Sequence, residues 1–249
     1  MEKQKGDNIR KAAAVLILLA VWQLLAVWIG KAVFLPSPLA TLKALVALMR
    51  TKGFYWSIGT SFVRIAAGFV LAVITGSLLA VLAVQDRLLL AIFDLLLQLI
   101  KSIPVASFVI LILLWVRSKN LSIVISFLMV LPVIYTNIRD GIQQTDTKLL
   151  EMAEVFCVKP YRRFRYIYLP SVMPRFVSAC SVGLGFCWKS GIAAEVIGLP
   201  DHSIGEQLYE AKLYLMTPEL FAWTTVIVAV SVLFEKLVMM LIRKVQKWV

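Results

Sequence analysis

Charged side chains are scarce in this sequence: Asp, Glu, Lys and Arg make up 16% of its 249 residues, against about 25% in an ordinary soluble domain. Hydrophobic residues make up 61%. A water-soluble fold of this composition would lack the polar side chains needed to cover its core. The same abundance of aliphatic residues excludes an intrinsically disordered chain. The composition therefore predicts an integral membrane protein.

Cysteine and histidine are also rare, with three cysteines and one histidine. Cys180 and Cys187 lie in one apolar stretch, and seven helical positions separate them by about 10 Å, too far for a disulfide. No spacing typical of a zinc site involves His202. The sequence also lacks a Gly-rich phosphate loop with a lysine and a nucleophile placed beside a base. We therefore expect that this chain is not an enzyme and that it holds no metal ion and no cofactor.

Acidic residues are outnumbered, with 14 Asp and Glu against 26 Lys and Arg, which gives a net charge of +12. In a soluble protein this excess would suggest nucleic-acid binding. No basic stripe is interleaved with aromatic residues, so we expect no nucleic-acid partner. In membrane proteins, Lys and Arg concentrate in cytoplasmic loops. The predicted loops carry more of them on the side of the two termini, which predicts that both termini are cytoplasmic.

Long apolar stretches dominate the rest of the chain, and each is long enough to cross a bilayer of about 30 Å. They predict an all-α, multi-pass protein of the cell membrane with about six transmembrane helices, at residues 12–29, 57–84, 88–116, 121–138, 169–197 and 220–242. Pro104 interrupts the third stretch three residues after Lys101, which predicts a kink. Ser181 and Gly185 in the fifth stretch follow the small-xxx-small pattern of close helix packing.

Two parts of the chain differ in organisation. Residues 1–56 are predicted to hold a charged N-terminal tail, the first transmembrane helix and an extracytoplasmic amphipathic segment whose helical pattern covers residues 41–49. Residues 57–249 are predicted to form the core domain. The core contains one long polar stretch, residues 139–168, which is too charged to cross the membrane and which the charge bias places in the cytoplasm.

A short amphipathic helix is predicted within the polar stretch. The run 145–147 offers Thr and Asp residues suited to cap its start. Leu149, Met152, Ala153 and Phe156 then share one face at helical spacing, and Pro160 is expected to end the helix. An exposed apolar face needs a cover. Two alternatives follow: the face packs on the protein's own helix ends, or it binds a groove on a soluble partner.

The residues of this loop resemble the "EAA" loop of ABC importer permeases. In that family, Glu-Ala-Ala is followed by three residues, Gly, nine residues and Ile-x-Leu-Pro. Glu151-Met152-Ala153, Cys157 and Ile167-x-Leu169-Pro170 match this spacing throughout. Met152 replaces the first Ala and Cys157 replaces the Gly, and Cys157 is less tolerant of a tight turn. The resemblance implies that the loop couples to an ATPase subunit through Leu149, Glu151, Met152, Ala153, Phe156, Cys157, Ile167, Leu169 and Pro170.

Further motifs, in the right order along the chain, resemble permeases of the nitrate, sulfonate and taurine type. They are Leu35-Pro36-Ser37-Pro38, Arg64-x-x-x-Gly68-Phe69, Leu114-Trp115, Pro132-x-x-x-Thr136-Asn137-x-x-x-Gly141-Ile142, Ala193-Ala194-Glu195 and Ser203-Ile204-Gly205. The resemblance implies a type I ABC importer (MetI-like) fold and a homodimer of permeases. It also implies two cytoplasmic ABC ATPase subunits that bind the ATP, an extracytoplasmic solute-binding protein and a translocation pathway for a small anionic solute.

Ionisable residues within the bilayer are candidates for the translocation pathway, because each costs about 3 kcal/mol unless it faces protein or water. In the fifth stretch these are Lys189 and Glu195, accompanied by Trp188 and Ser190. We hypothesise that Lys189 faces the pathway and lowers the barrier for an anion. The alternative is that Lys189 pairs with an acidic residue of a neighbouring helix, either Asp94 or Glu235.

For Arg64 and Lys101, which also lie within predicted spans, we expect a structural role and no role in the pathway. Arg64 is close enough to the end of its stretch to reach the membrane surface. Lys101 lies next to the expected kink, where the backbone could meet water.

Other functions remain open at this level. The same class of importer could carry a neutral or vitamin-precursor solute. A self-sufficient secondary transporter would predict inverted repeats or broken helices around a midplane site, and the sequence contains no visible internal repeat. A membrane scaffold would predict no charges along a pathway.

Overall fold

The computed structural model describes the backbone of residues 2–246 and the side chains of residue 10 and residues 13–244. Within that range the structure contains helices and no β-strand. The side chains of the predicted basic tail, apart from Arg10, lie outside the described residues. The helices are α1 Glu2–Ile29, α2 Pro38–Met49, α3 Lys52–Gln85, α4 Arg87–Ser102, α5 Val105–Ile112, α6 Ser118–Gln143, α7 Thr147–Val155, α8 Pro160–Arg163, α9 Leu169–Gly198, α10 Ile204–Leu213 and α11 Thr217–Gln246.

In the described part of the chain, 4 helices are long and apolar enough to cross a membrane: α3, α6, the continuous helical stretch Pro160–Gly198 and α11. The pair α4 and α5 makes a fifth span if the two helices are counted together. The prediction of an all-α integral membrane protein is confirmed. The expected first span, residues 12–29, lies in α1, whose described apolar part is Ala13–Ile29.

The predicted third span, residues 88–116, is wrong as a single helix. It is broken into α4 and α5, which are bent by 104°. The break falls at Ile103 and Pro104, where Ile103 is extended with φ −82° and ψ 127°. A proline disfavours helical backbone in the preceding residue and has no N–H to donate, so the helix ends there. Pro104 thus produces a sharp bend, larger than the predicted kink.

The centre of the bundle is α6, against which both α3 and α9 pack along much of their lengths. Buried side chains of these three helices include Ile65, Ile134 and Trp188. Two glycines permit the close approach. A Cβ on Gly68 would lie 2.5 Å from the carbonyl oxygen of Ile123 in α6, and a Cβ on Gly191 would lie 2.6 Å from Ile65 Cγ1 in α3.

The predicted close packing at Ser181 and Gly185 is not found within the described chain. A Cβ on Gly185 would meet nothing within 4 Å. Ser181 instead donates a hydrogen bond from Oγ to Glu235 Oε1 of α11, at 3.2 Å. The close contacts of α9 are therefore made on a different face, the one that carries Gly191.

Two short helices accompany the spans. The helix predicted over residues 41–49 is present as α2, which begins earlier than expected, because Ser37 Oγ caps it by accepting from the Ala40 N–H at 3.2 Å. Helix α10 was not predicted. Ser203 begins it in the same way, accepting from the Glu206 N–H at 3.0 Å. α10 packs against α9 and α11 and so closes one end of the bundle.

We predict that Gly191→Ala lowers the free energy of unfolding by about 1–3 kcal/mol, because the new methyl group overpacks the α3–α9 contact. Gly185→Ala is the matched control in the same helix, where a Cβ finds open space. It should leave stability unchanged or raise it by up to about 1 kcal/mol through helix propensity. Thermal unfolding of the detergent-purified protein measures both. Equal melting temperatures for the two variants would contradict the close packing.

Candidate functional site

Helix α7 is the amphipathic helix predicted in the polar stretch. Asp146 caps it, since its carboxylate accepts from the Lys148 N–H at 2.9 Å. This confirms a cap within residues 145–147. The expectation that Pro160 ends the helix is wrong: α7 ends at Val155, and Pro160 begins α8.

The end of α7 is decided by Cys157, which adopts the left-handed conformation with φ 47°. Its N–H donates to the Glu154 carbonyl at 3.0 Å, and the Val158 N–H donates to the Ala153 carbonyl at 2.9 Å. These are the two hydrogen bonds of a Schellman turn, which usually places Gly at the left-handed position. Cys157 therefore keeps the bend that the Gly of the EAA pattern would permit.

The apolar face of α7 is largely uncovered in this chain. Ala153 is fully buried, whereas Leu149, Met152 and Phe156 are exposed, and Phe156 retains 74% of its accessible surface. Packing on the protein's own helix ends therefore accounts for Ala153 alone. A contiguous exposed apolar surface on a polar loop is typical of a protein–protein contact. The loop thus offers such a contact beside Glu151, whose side chain is also exposed.

The segment after α7 leads directly into a spanning helix. α8 continues through a π-helical turn, Phe164–Tyr168, into α9, and together they form one helical stretch of 39 residues, Pro160–Gly198. Ile167 lies in the π-helical turn, and Leu169 and Pro170 begin α9. Ile167 and Leu169 are half-buried, and Pro170 is exposed. The nine residues predicted to couple thus lie on one segment that joins α7 to a membrane span.

The four candidate pathway residues of α9 face different directions. Trp188 is buried and donates from Nε1 to the Ile227 carbonyl of α11 at 3.1 Å. Ser190 is buried and donates from Oγ to the Phe186 carbonyl of its own helix at 2.8 Å. Lys189 is exposed.

The alternative that Lys189 pairs with Asp94 or Glu235 is not found in the described part of the chain. Asp94 is paired with Arg139 of α6. Glu235 accepts a hydrogen bond from Ser181. The ammonium of Lys189 is therefore left on the outer surface of this chain.

Glu195 is fully buried and connects three elements. Its Oε2 accepts from Ser61 Oγ of α3 at 2.6 Å and from the Gly205 N–H of α10 at 3.4 Å. Ser61 Oγ in turn accepts from the Ile204 N–H at 2.9 Å. Lys189 and Glu195 are not brought together, and Glu195 joins α9 to α3 and α10.

A polar cluster between α4 and α6 was missed by the sequence reasoning. Asp94, Gln98 and Lys101 line a cavity of about 240 Å³ together with residues of α6. Their spacing of four and three positions would have placed them on one helix face. Arg139 was assigned to the polar loop, but α6 extends to Gln143 and places Arg139 in this cluster.

The cluster is held together by ion pairs and a hydrogen bond. Arg139 Nη1 pairs with Asp94 Oδ1, and Arg139 Nη2 lies 2.7 Å from Asp140 Oδ1. Tyr135 donates its hydroxyl to Asp94 Oδ1 at 2.8 Å. Among the described residues, no group of three or more His, Cys, Asp and Glu side chains is placed to hold a metal ion.

The helical bundle defines a membrane-embedded component, and one of its loops carries an exposed apolar face. Residues 68–249 match the family described as "Binding-protein-dependent transport system inner membrane component". Because this match covers most of the chain, the chain belongs to that family, and it is a transporter subunit of the membrane. The resemblance to ABC importer permeases is confirmed.

Several relatives share sequence over most of the chain. The putative aliphatic sulfonates transport permease protein SsuC of Bacillus subtilis is 26% identical over 93% of this chain and 84% of its own length. The nitrate import permease protein NrtB of Synechocystis is 27% identical, and the match covers 76% of this chain and 72% of that protein's length. The bicarbonate transport system permease protein CmpB of Synechococcus elongatus is 25% identical, and the match covers 80% of this chain and 70% of that protein's length.

A solved structure supports the fold. The crystal structure of an amino acid ABC transporter with histidines superposes with a TM-score of 0.55, covering 84% of this chain and 95% of that chain at 15% identity. At this identity the likeness concerns the fold alone. Together with the family, it confirms the predicted type I importer (MetI-like) architecture.

We predict that Cys157→Gly raises the free energy of unfolding by about 1 kcal/mol, because glycine relieves the cost of the left-handed backbone. Cys157→Ala is the control, since it removes the thiol and keeps the Cβ. It should match the parent protein. Thermal unfolding, with hydrogen exchange at the Val158 amide, measures the effect. Indistinguishable Gly and Ala variants would show that the turn carries no such cost.

Proposed function

We propose that this chain is the permease subunit of an ATP-driven ABC importer and forms the translocation pathway for a small anionic solute. The observation that carries the proposal is the uncovered apolar face of α7, on a loop with the EAA spacing that continues into a spanning helix. The names of the relatives, permeases for sulfonates, nitrate and bicarbonate, support an anion of this kind.

The proposed assembly contains a second copy of the permease, two ABC ATPase subunits and an extracytoplasmic solute-binding protein. ATP is bound by the ATPase subunits, and this chain holds no cofactor. Both termini and the loop 139–168 are cytoplasmic, and residues 57–249 form the core permease domain after an N-terminal part, 1–56. The excess of Lys and Arg on that side supports this orientation.

The loop transmits motion in this proposal. Leu149, Met152 and Phe156 fill an apolar groove on the ATPase, and Glu151 lies at the polar edge of the contact. Ala153, which is buried, fixes α7 to its own chain. Closure of the ATPase pair favours one of two arrangements of the bundle by its differential contact with α7.

The helical continuity from Pro160 to Gly198 supports this transmission. Cys157 sets the angle between α7 and the next helix. Ile167, Leu169 and Pro170 then carry the displacement into α9, because a continuous helix moves as one rigid element.

The second part of the proposal concerns Lys189. It shares an exposed face of α9 with Val182 and Phe186, at a spacing of four and three positions. A charged ammonium facing lipid would cost about 3 kcal/mol. We therefore assign this face to the water-filled pathway beside the second permease copy. Trp188, Ser190 and Glu195 act as positioning residues that hold α9 in this rotation.

Phe156→Asp should abolish co-purification of the ATPase subunit. A charge in place of an exposed aromatic anchor opposes burial in an apolar groove, and we expect recovery to fall by more than about tenfold. Glu154→Ala, also exposed on α7, is the control and should retain the ATPase. Affinity purification from membranes with quantified ATPase measures the effect. Recovery equal to that of the control would refute the docking role of α7.

Lys189→Met should slow ATP-dependent uptake of the solute by about tenfold, which corresponds to about 1.4 kcal/mol of lost stabilisation of the anion in transit. Lys212→Met is the control, because Lys212 is an exposed lysine of the short helix α10, outside the candidate spans. Uptake by cells or proteoliposomes, normalised to permease content, measures the difference. Unchanged uptake at normal expression would contradict the pathway role of Lys189.

A further inference from the structure

An apolar groove runs between helices α1 and α11. Its volume is about 620 Å³, within the range of about 300–1,000 Å³ of sites that bind drug-sized molecules. The residues that line it come from α1, from α11 and from Leu35, and they are apolar except for Thr224 and Thr225. Leu18 of α1 and Val228 of α11, on its two sides, are exposed. The groove is therefore open toward the outside of the chain.

The polar groups of the lining already have partners within the chain. Thr224 and Thr225 each donate their hydroxyl to the carbonyl four residues earlier in α11, at 2.9 Å. Trp22 donates from Nε1 to the Pro36 carbonyl at 3.0 Å. A polar molecule in this groove would lose its hydrogen bonds to water and gain none in return, which is costly. The groove therefore suits an apolar occupant.

Both helices place the groove at the same depth. The Thr217 hydroxyl donates to the Val33 carbonyl at 2.7 Å, so the end of α1 and the start of α11 lie at one end of the bundle. The lining covers residues 18–25 of α1 and 221–229 of α11, which lie about 6–16 Å and about 6–18 Å along the helix axes from that end. Since the hydrocarbon core is about 30 Å thick, the groove occupies the depth of one leaflet.

The width of the groove follows from the side chains along it. The rings of Trp22 and Phe221 bridge the two helices, with centroids 5.8 Å apart. Ala229 lies deeper, at about the depth of Leu18, and its small side chain leaves the two helices without a contact of this kind. The groove therefore widens away from the aromatic pair and can take a flexible hydrocarbon chain.

A lysine lies at the end of the groove that is nearer the membrane surface. Lys31 follows α1 and is exposed, and its ammonium lies 6.0 Å from the centroid of the Phe34 ring, next to Leu35 of the lining. The ion pairs found in the described part of the chain all belong to Arg139, so Lys31 has no carboxylate within 4.0 Å there. A lysine at the membrane surface attracts anionic lipid headgroups.

We propose that this groove binds one anionic phospholipid, with an acyl chain between α1 and α11 and the phosphate beside Lys31. The inference goes beyond the proposed function, because the groove faces the lipid and takes no part in the movement of the solute. In the described part of the chain, α1 packs mainly against the short helix α2. The bound acyl chain would supply the packing that joins α1 to α11.

The first test fills the groove. The full-length chain, purified in a mild detergent, is titrated with dioleoyl phosphatidylglycerol, and native mass spectrometry counts the lipids bound per chain. Ala229→Trp should lower the bound lipid by at least about fivefold, because the indole occupies the space of the acyl chain. Ala91→Trp, at an exposed alanine of α4, is the matched control and should bind like the parent. Equal binding by the two variants would overturn the site.

The second test removes the charge at the headgroup. Lys31→Gln should raise the dissociation constant of dioleoyl phosphatidylglycerol by about fivefold, the effect of one lysine near a lipid surface. Lys43→Gln, at an exposed lysine of α2, is the control and should leave it unchanged. Glycerol phosphate, which carries the phosphate without the acyl chains, should not bind. Binding of glycerol phosphate that depends on Lys31 would show a site for free phosphate and overturn the lipid site.

A second copy of the chain is the competing occupant. If the parent forms a dimer without added lipid, and Ala229→Trp converts it to monomers, the groove holds a helix of the second copy and the lipid inference fails. Loss of bound lipid with an unchanged oligomeric state supports the inference. Ala229→Trp should still co-purify with the ATPase subunit, because it does not touch α7. The lipid site and the importer function can therefore fail separately.

Discussion

The close approach of α3 and α9 to α6 determines most of the structure. Lipid provides no hydrophobic force between helices, so their association depends on close contact and hydrogen bonds. Gly68 and Gly191 provide the contact, since a Cβ at either position would clash with a neighbouring helix. Ser126 of α6 adds a hydrogen bond from Oγ to the Cys187 carbonyl of α9, at 3.1 Å. This packing sets the rotation of α9 and thereby leaves Lys189 on its outer face.

Helix α9 also connects the polar loop that carries α7 to the interior of the bundle. Helix α9 is continuous with α8, so the turn at Cys157 is the one break between α7 and the far end of the span at Gly198. Near that end, the buried Glu195 joins α9 to Ser61 of α3 and to the start of α10. Helix α7 is thus connected, through α8 and α9, to the contacts that Glu195 makes near the other end of the span. This arrangement suits a subunit whose energy comes from a separate motor.

Local signals in the sequence predicted some elements well and others poorly. The apolar spacing and the cap at Asp146 predicted α7, because both act within a few residues. Its end was misplaced, because the left-handed backbone of Cys157 is unfavourable for a residue with a Cβ and depends on the turn's hydrogen bonds. Pro104 predicted a kink, but the size of the bend depends on how α5 packs against α9. α10 follows a Ser203 cap that the sequence reasoning did not use.

The sequence alone determined that the chain lies in a membrane, that it is helical and that one polar loop carries an apolar face. Composition and periodicity are local properties, and they suffice for these conclusions. Only the tertiary structure decided which polar residues meet. Arg139 is 45 positions from Asp94, and Tyr135 is 41 positions from it, so no local pattern links them. Their contact exists because α6 extends to Gln143, past the expected end of its span, and runs beside α4.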